Sequence, residues 1–189
     1  MPAFPPAATP LSGPAAGLYL YHVAIGRGTQ NYTCANETAV PTSIGAKATL
    51  YNASCIAASY PTVLSSLPSA ALQVPSGDIP DSLLVSGHHY FSNATTPTFD
   101  LGSFGFSHFK KVGTENATAG SNPGVAGQAY GAVAWLKLEH ETQGAVGDLM
   151  EVYRLNTAGG SPPPTCAGMP AAFEIQYSAE YWFWAGTES

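Results

Sequence analysis

The groups in this chain able to do chemistry are few, and two histidines stand side by side. His88 and His89 would point to opposite faces of a strand, so they cannot chelate one metal together without a bulge. His89 would share its face with Leu83, Val85, Gly87 and Phe91. That setting suits either a buried, hydrogen-bonded imidazole or a ligand or proton donor at the mouth of a cavity. His22, His108 and His140 are available to join it, although nothing in their spacing requires this. Arg154, one of two arginines, falls on a strand face with Met150, Val152 and Asn156. A guanidinium beside apolar neighbours commonly pairs with a carboxylate, here Glu180 or Asp148, and its other use is anion binding.

Trp182 and Trp184 alternate with apolar residues and share the polar face of the last segment with Glu180. Same-face neighbours on a strand lie roughly 6.8 Å apart. Aromatics so placed beside a carboxylate suit stacking on sugar rings, unless a second layer covers them. Glycosidic cleavage would need two carboxylates facing each other. Glu139, Glu141, Glu151, Glu174 and Glu180 are candidates that the sequence does not pair.

Familiar catalytic and cofactor signatures are incomplete or missing. Gly26-Arg-Gly28-Thr-Gln-Asn31 begins like a dinucleotide fingerprint but lacks the third glycine and the following helix, and reads as a turn at a strand end. There is no phosphate-binding loop and no Gly-x-Ser-x-Gly elbow. His140-Glu141 lacks the second histidine of the helical zinc motif. The three cysteines, Cys34, Cys55 and Cys166, have no metal-type spacing. No cofactor and no metal is therefore expected.

Only 10% of residues are charged, the net charge is −6 and the sequence pI is about 5.1. Nucleic acids and anionic membranes call for a basic footprint, and only Lys110 and Lys111 are adjacent cations. No apolar run is long enough for a membrane span. Asn-x-Ser/Thr occurs at Asn31, Asn36, Asn52, Asn93 and Asn116, where chance gives about one. That excess predicts a secreted, extracellular or cell-wall-associated glycoprotein. Met1-Pro-Ala-Phe-Pro-Pro has neither a basic nor an apolar leader region, so a leader already removed is expected.

An odd cysteine count predicts one bridge and one leftover thiol. A strand ending at Cys34 that turned back through 35–46 would face residues near Ala48, about seven positions short of Cys55. That register favours Cys34–Cys166 among the three pairings.

These groups must be positioned by strands. Residues 1–17 read as an extended arm and 18–189 as one β domain. Leu18–Ile25 is apolar on both parities, Thr29–Cys34 alternates, and Gly45–Asn52 would turn Ala48 and Leu50 inward. One short helix is predicted near 61–67, with Pro61 in its first turn and a stop before Pro68. Leu83–Phe91, Phe99–Phe109, Ala132–Glu139 and Leu149–Leu155 read as strand-bearing segments, and 114–127 as a long mobile loop. In the last segment Phe173, Ile175, Tyr177, Ala179, Tyr181 and Phe183 take one parity, while Glu174, Gln176, Ser178, Glu180, Trp182 and Trp184 take the other. The class is all-β, a β-sandwich or closed β-barrel of about eight or more mainly antiparallel strands.

Several segments together resemble an uncharacterised family of secreted proteins found in filamentous fungi and in bacteria. They are Gly26-Arg-Gly-Thr-Gln-Asn-Tyr-Thr-Cys34, Ala48-Thr-Leu-Tyr-Asn-Ala-Ser-Cys55, Gly87-His-His-Tyr-Phe91, Ala132-Val-Ala-Trp-Leu136, Val152-Tyr-Arg-Leu-Asn-Thr-Ala-Gly-Gly160 and Tyr177-Ser-Ala-Glu-Tyr-Trp-Phe-Trp184. The resemblance runs from Leu18 to Trp184. Fungal members often carry a malate dehydrogenase name, which the missing nucleotide fingerprint and the all-β pattern argue against here. The resemblance implies no reaction. It supports the Cys34–Cys166 bridge and singles out His89, Trp135, Arg154, Asn156 and Thr157.

The expected function is a non-enzymatic extracellular binding or surface protein, with carbohydrate or a small apolar molecule as ligand through Trp135, Asn156, Thr157, Trp182 and Trp184. One alternative is a hydrolase or isomerase with His89, Arg154 and Glu180 as catalytic candidates. Another is a structural component of a cell wall or spore surface. The sequence carries no sign of oligomeric state.

Overall fold

A computed structural model describes residues 10–75, 79, 85–141 and 147–186. Eight strands run in order around a closed barrel: β1 Tyr19–Thr33, β2 Thr42–Asn52, β3 Val85–Phe91, β4 Pro97–Asp100, β5 Phe106–Glu115, β6 Trp135–His140, β7 Leu149–Gly159 and β8 Ala172–Ala185. Every neighbour is antiparallel, and β8 closes on β1 from Tyr19↔Ala185 to Thr33↔Ala172. Closure settles the choice between sandwich and barrel, because no edge of the sheet is left to pair. Leu83 and Leu84, predicted to begin the third strand, lie outside the described residues.

The alternation of β8 sorts the molecule into two cores. Tyr177, Ala179, Tyr181 and Phe183 face the interior with Ala48, Leu50, Phe99, Phe109, Leu138 and Val152. Trp182 and Trp184 face outward into a second layer with Val23, Ile25, Trp135, Tyr153 and Leu155. Two helices, α1 Ser54–Ser59 and α2 Pro61–Gln73, bring Ala57 and Leu64 to that outer layer. This explains why the start of β1 is apolar on both parities. Its inward residues line the barrel and its outward residues lie under the helices.

The helical region is longer than predicted. α2 continues through Pro68, which is buried on the same face as Leu64 and Leu72. An interior proline costs about 3 kcal/mol of helix propensity; that face packs on the barrel, and the packing offsets the cost. The C-terminal carbonyls of α2 are then capped from outside. Arg27 donates from Nε to Ala71 O at 3.0 Å and from Nη2 to Val74 O at 3.3 Å, placing a cation where the helix dipole is negative.

Gly26-Arg-Gly28 is not a turn. It lies within one continuous β1, paired on both sides, that also absorbs the separately predicted segment 29–34. A Cβ on Gly26 would come within 2.4 Å of the Tyr181 ring. The glycine is there to admit that ring.

The segment following β5 is held by hydrogen bonds instead of hanging loose. Gly159 N donates to Asn122 O, Gly131 N to Pro123 O, and Gln128 bridges to the backbone of Glu174 and Gln176. Cys34 and Cys166 form a disulfide across 132 residues of sequence. Cys55 is an exposed free thiol on α1.

Candidate functional site

An eight-stranded barrel has an interior just wide enough to be filled by side chains or to hold one small ligand. This barrel does both, at different levels. One level is plugged by aromatic rings. Phe99 lies edge-on to Phe109, Tyr181 and Phe183, with centroids 5.5, 5.5 and 5.4 Å away. Where β1 and β2 carry small residues, the space is taken up within the plug: a Cβ on Gly26 would meet the Tyr181 ring, and one on Gly28 the Lys47 carbonyl. A cavity of about 410 Å³ remains, within the range of small-molecule sites. Its apolar wall is Phe91, Pro97, Val133, Leu136 and Leu138, and its polar groups include Gln30, Tyr32, His89, Arg154 and Tyr181. Ser43, Thr95, Lys111 and Thr114 line it as well and are exposed.

His89 reaches this cavity from the strand parity expected of it, while His88 points out to solvent. Its ring stacks on Phe99 at 4.2 Å and 12°. Nδ1 lies 2.9 Å from Thr98 O. A carbonyl only accepts, so Nδ1 carries the proton and Nε2 is left as an acceptor. Burial pulls the His89 pKa down to about 4, and the nearby Arg154 charge adds to the fall. The imidazole is therefore neutral at physiological pH. His22, His108 and His140 do not line the cavity. His22 is held instead between Ser54 and Ser86 at 3.0 and 2.9 Å.

Arg154 does not pair with Glu180 or Asp148. Arg154 sits opposite Tyr181 in the β7–β8 register and points into the barrel, whereas Glu180 sits opposite Leu155 and points out. The guanidinium donates from Nε and Nη2 to one carbonyl, Ala134 O, at 3.2 and 2.8 Å. It also lies close enough to the Tyr181 hydroxyl to influence it, and that hydroxyl is 2.8 Å from the one of Tyr177. Lys137–Glu151 is the ion pair found among the described residues, and it does not involve Arg154. Among the described residues, no carboxylate lines the cavity. Beside Arg154, Gln30 is 6% exposed and its amide nitrogen has no partner at hydrogen-bonding geometry, although it lies close enough to the Tyr177 hydroxyl to influence it.

The remaining predicted site residues lie elsewhere. Trp182 and Trp184 are 1% and 4% exposed, so the expected stacking strip is covered by the outer layer. Trp182 Nε1 donates to Glu180 Oε2 at 2.9 Å. Trp135 is buried in the same layer. Asn156 leaves the Arg154 face because β7 bulges between Leu155 and Ala158. It adopts φ 46°, the one positive φ outside glycine among the described residues, a conformation that asparagine tolerates. Its Nδ2 donates to Ser65 O and to Glu180 Oε1. Glu180 is thus enclosed between Asn156, Trp182 and α2, and burial raises its pKa against the pull of those two bonds. Thr157 donates to Val133 O. These are framework contacts, and none of Trp135, Asn156, Thr157, Glu180, Trp182 and Trp184 lines the cavity.

Gln30, Tyr32 and Leu136 were not singled out as site residues by sequence. The available signal was the parity of β1, which puts Gln30 and Tyr32 on the inward face with Gly26 and Gly28.

The sequence profile of a family described as a protein of unknown function (DUF3455) matches residues 14–185. The chain belongs to that family. No curated protein and no solved structure matches it. The DUF3455 match takes in β1 through β8 and every residue of the cavity lining.

Proposed function

We propose that this DUF3455 chain is an extracellular, non-enzymatic binding protein whose barrel holds one small, largely apolar molecule. The cavity of about 410 Å³ above the aromatic plug carries this reading. A dry cavity of roughly 150 Å³ accepts one benzene ring, so a ligand of one or two rings fits. A floor of Phe99 and Tyr181 gives it an apolar base. Carbohydrate has less support, because Trp182 and Trp184 are covered. An enzyme built on His89, Arg154 and Glu180 also has less support. Glu180 lies on the opposite face of β8 from the cavity, and a histidine with a pKa near 4 is a weak base at neutral pH.

Extracellular residence is supported by the disulfide and by the exposure of Asn36, Asn93 and Asn116. Asn36 and Asn93 each sit at the head of a turn, accepting from the Thr two residues on, which leaves a surface site for a glycan.

The test is an NMR titration of the folded protein with neutral and charged one- and two-ring compounds. Binding should shift the resonances of Phe91, Leu136 and Tyr181. A panel that leaves all three unmoved removes the reading.

A further inference from the structure

We propose that the molecule held in the barrel is a small carboxylate with an apolar one- or two-ring body, its carboxylate taken by Arg154. This rests on the binding reading above and gives the ligand its charge.

Arg154 is 8% exposed, and among the described residues its partners, Ala134 O and the nearby Tyr181 hydroxyl, are neutral. A guanidinium has five N–H donors. Two of them converge on a single carbonyl and the Tyr181 hydroxyl lies close by, so by count donors remain for an incoming acceptor. Burying a charge without a counter-ion is costly, and an arriving carboxylate answers it with a bidentate, charge-assisted pair.

The surroundings narrow the anion. Gln30 adds a second buried donor with no well-formed bond of its own. Phe91, Pro97, Val133, Leu136 and Leu138 supply apolar wall and no further charge. The other cation is Lys111, which is exposed at the rim. One buried positive charge balances a monoanion. A phosphate monoester carries nearly two negative charges and would find only half its counter-charge at depth.

His89 adds polarity to the recognition. Nδ1 is committed to Thr98 O, so Nε2 accepts. It turns away a carboxylate oxygen and receives a donor. A ligand hydroxyl beside the ring would complete it, so a hydroxylated aromatic acid should bind better than its parent.

The experiment compares acids with their isosteric amides: benzoate with benzamide, and 1-naphthoate with 1-naphthamide, by calorimetry at constant pH and ionic strength. In the unmodified protein at least one acid should bind tenfold or more tighter than its amide. Arg154→Gln should bring that ratio to twofold or less. Leu136→Trp, which fills the cavity without touching the Ala134 bond, should abolish binding of both. The Arg154 side-chain ¹⁵N resonances of the unmodified protein should move on adding the acid, and this readout stands even if Arg154→Gln does not fold. Amides binding as well as acids would overturn the carboxylate assignment and leave the binding reading intact. A preference that survives Arg154→Gln and disappears in Lys111→Gln would place the anion at the rim and overturn it too. Unmoved Arg154 resonances on saturation with acid would do the same. If no acid and no amide binds, both readings fall together.

Discussion

Two cations sit almost side by side in this barrel and are treated in opposite ways. Lys137 on β6 is opposite Tyr153 on β7, and the next pair along the ladder is Leu136 opposite Arg154. The two are buried alike, at 6% and 8% exposure. Lys137 points outward and is fully occupied. It pairs with Glu151 at 3.1 Å, donates to Gly13 O at 3.0 Å and lies 5.6 Å from the centre of the Tyr153 ring. Ala15 N also donates to Glu151, and the Tyr153 hydroxyl lies 3.0 Å from both Ser12 O and Glu151 Oε2. This cluster fastens residues 12–15 across β6 and β7. Arg154 points inward and, among the described residues, has no carboxylate beside it. Equal burial with unequal satisfaction distinguishes a structural clamp from a site awaiting a partner.

The comparison is broken most forcefully by taking the counter-ion from Lys137. Glu151→Ala leaves an ammonium buried and unpaired, a loss of about 3–5 kcal/mol. Urea unfolding should show the midpoint falling with an unchanged slope. A midpoint that hardly moves would mean that Lys137 finds water, and that the cluster is no clamp.

His89 reports the burial on the other side, to which the Arg154 charge adds a smaller contribution. Its folded pKa of about 4 lies below the ordinary 6.5, so the unfolded chain takes up the proton first as pH falls. The stabilising contribution is complete above pH 6.5 and is lost on descending towards pH 4, amounting to about 3 kcal/mol. His22, also lowered by burial, adds a slope of the same sign, while the raised Glu180 acts in the opposite sense. Both remain in His89→Gln, so the difference between the two proteins isolates His89. Unfolding midpoints at pH 7 and pH 4.5 should converge in the variant. An unchanged acid loss would show that His89 is solvated.

A smaller effect separates the parts of the clamp. Tyr153→Phe removes one hydroxyl shared between Ser12 O and Glu151 and keeps the ring beside Lys137. The expected loss is about 1–2 kcal/mol, read from the same unfolding curves. A loss as large as that of Glu151→Ala would put the hydroxyl, and not the ion pair, at the centre of the clamp.

How much of this was legible in sequence follows from what sets each feature. Parity carried the strands: Tyr177, Ala179, Tyr181 and Phe183 face in because alternate side chains of a strand cannot do otherwise. It also carried His89, and the split between His88 and His89. Parity failed at Asn156, where a bulge unmarked by glycine or proline turned the chain over. It misled at Trp182 and Trp184 because a face that alternates with apolar residues reads as exposed, and only the two helices reveal it as covered. Pro68 concealed the true length of α2, since the contacts that outweigh its helix penalty come from the barrel. Arg154 was assigned a carboxylate partner because buried arginines usually have one. The absence of one follows from a register between β7 and β8 that composition does not encode.

The smallest expected effect bears most directly on the contrast. Arg154→Met keeps much of the side chain's apolar length and removes the charge. If Arg154 were a structural cation like Lys137, its loss would rival that of Glu151→Ala. A charge that is buried without a counter-ion is itself a burden, and replacing buried charge with apolar volume is often neutral or stabilising. Against that stand the two lost bonds to Ala134 O, whose carbonyl must find another partner. The two contributions are similar in size and opposite in sign, so the ligand-free protein should change stability by less than about 1 kcal/mol. Unfolding curves for the unmodified, Arg154→Met and Glu151→Ala proteins, run together without ligand, measure this directly. A loss of 3 kcal/mol or more in Arg154→Met would make Arg154 part of the framework and remove the asymmetry on which the ligand argument depends.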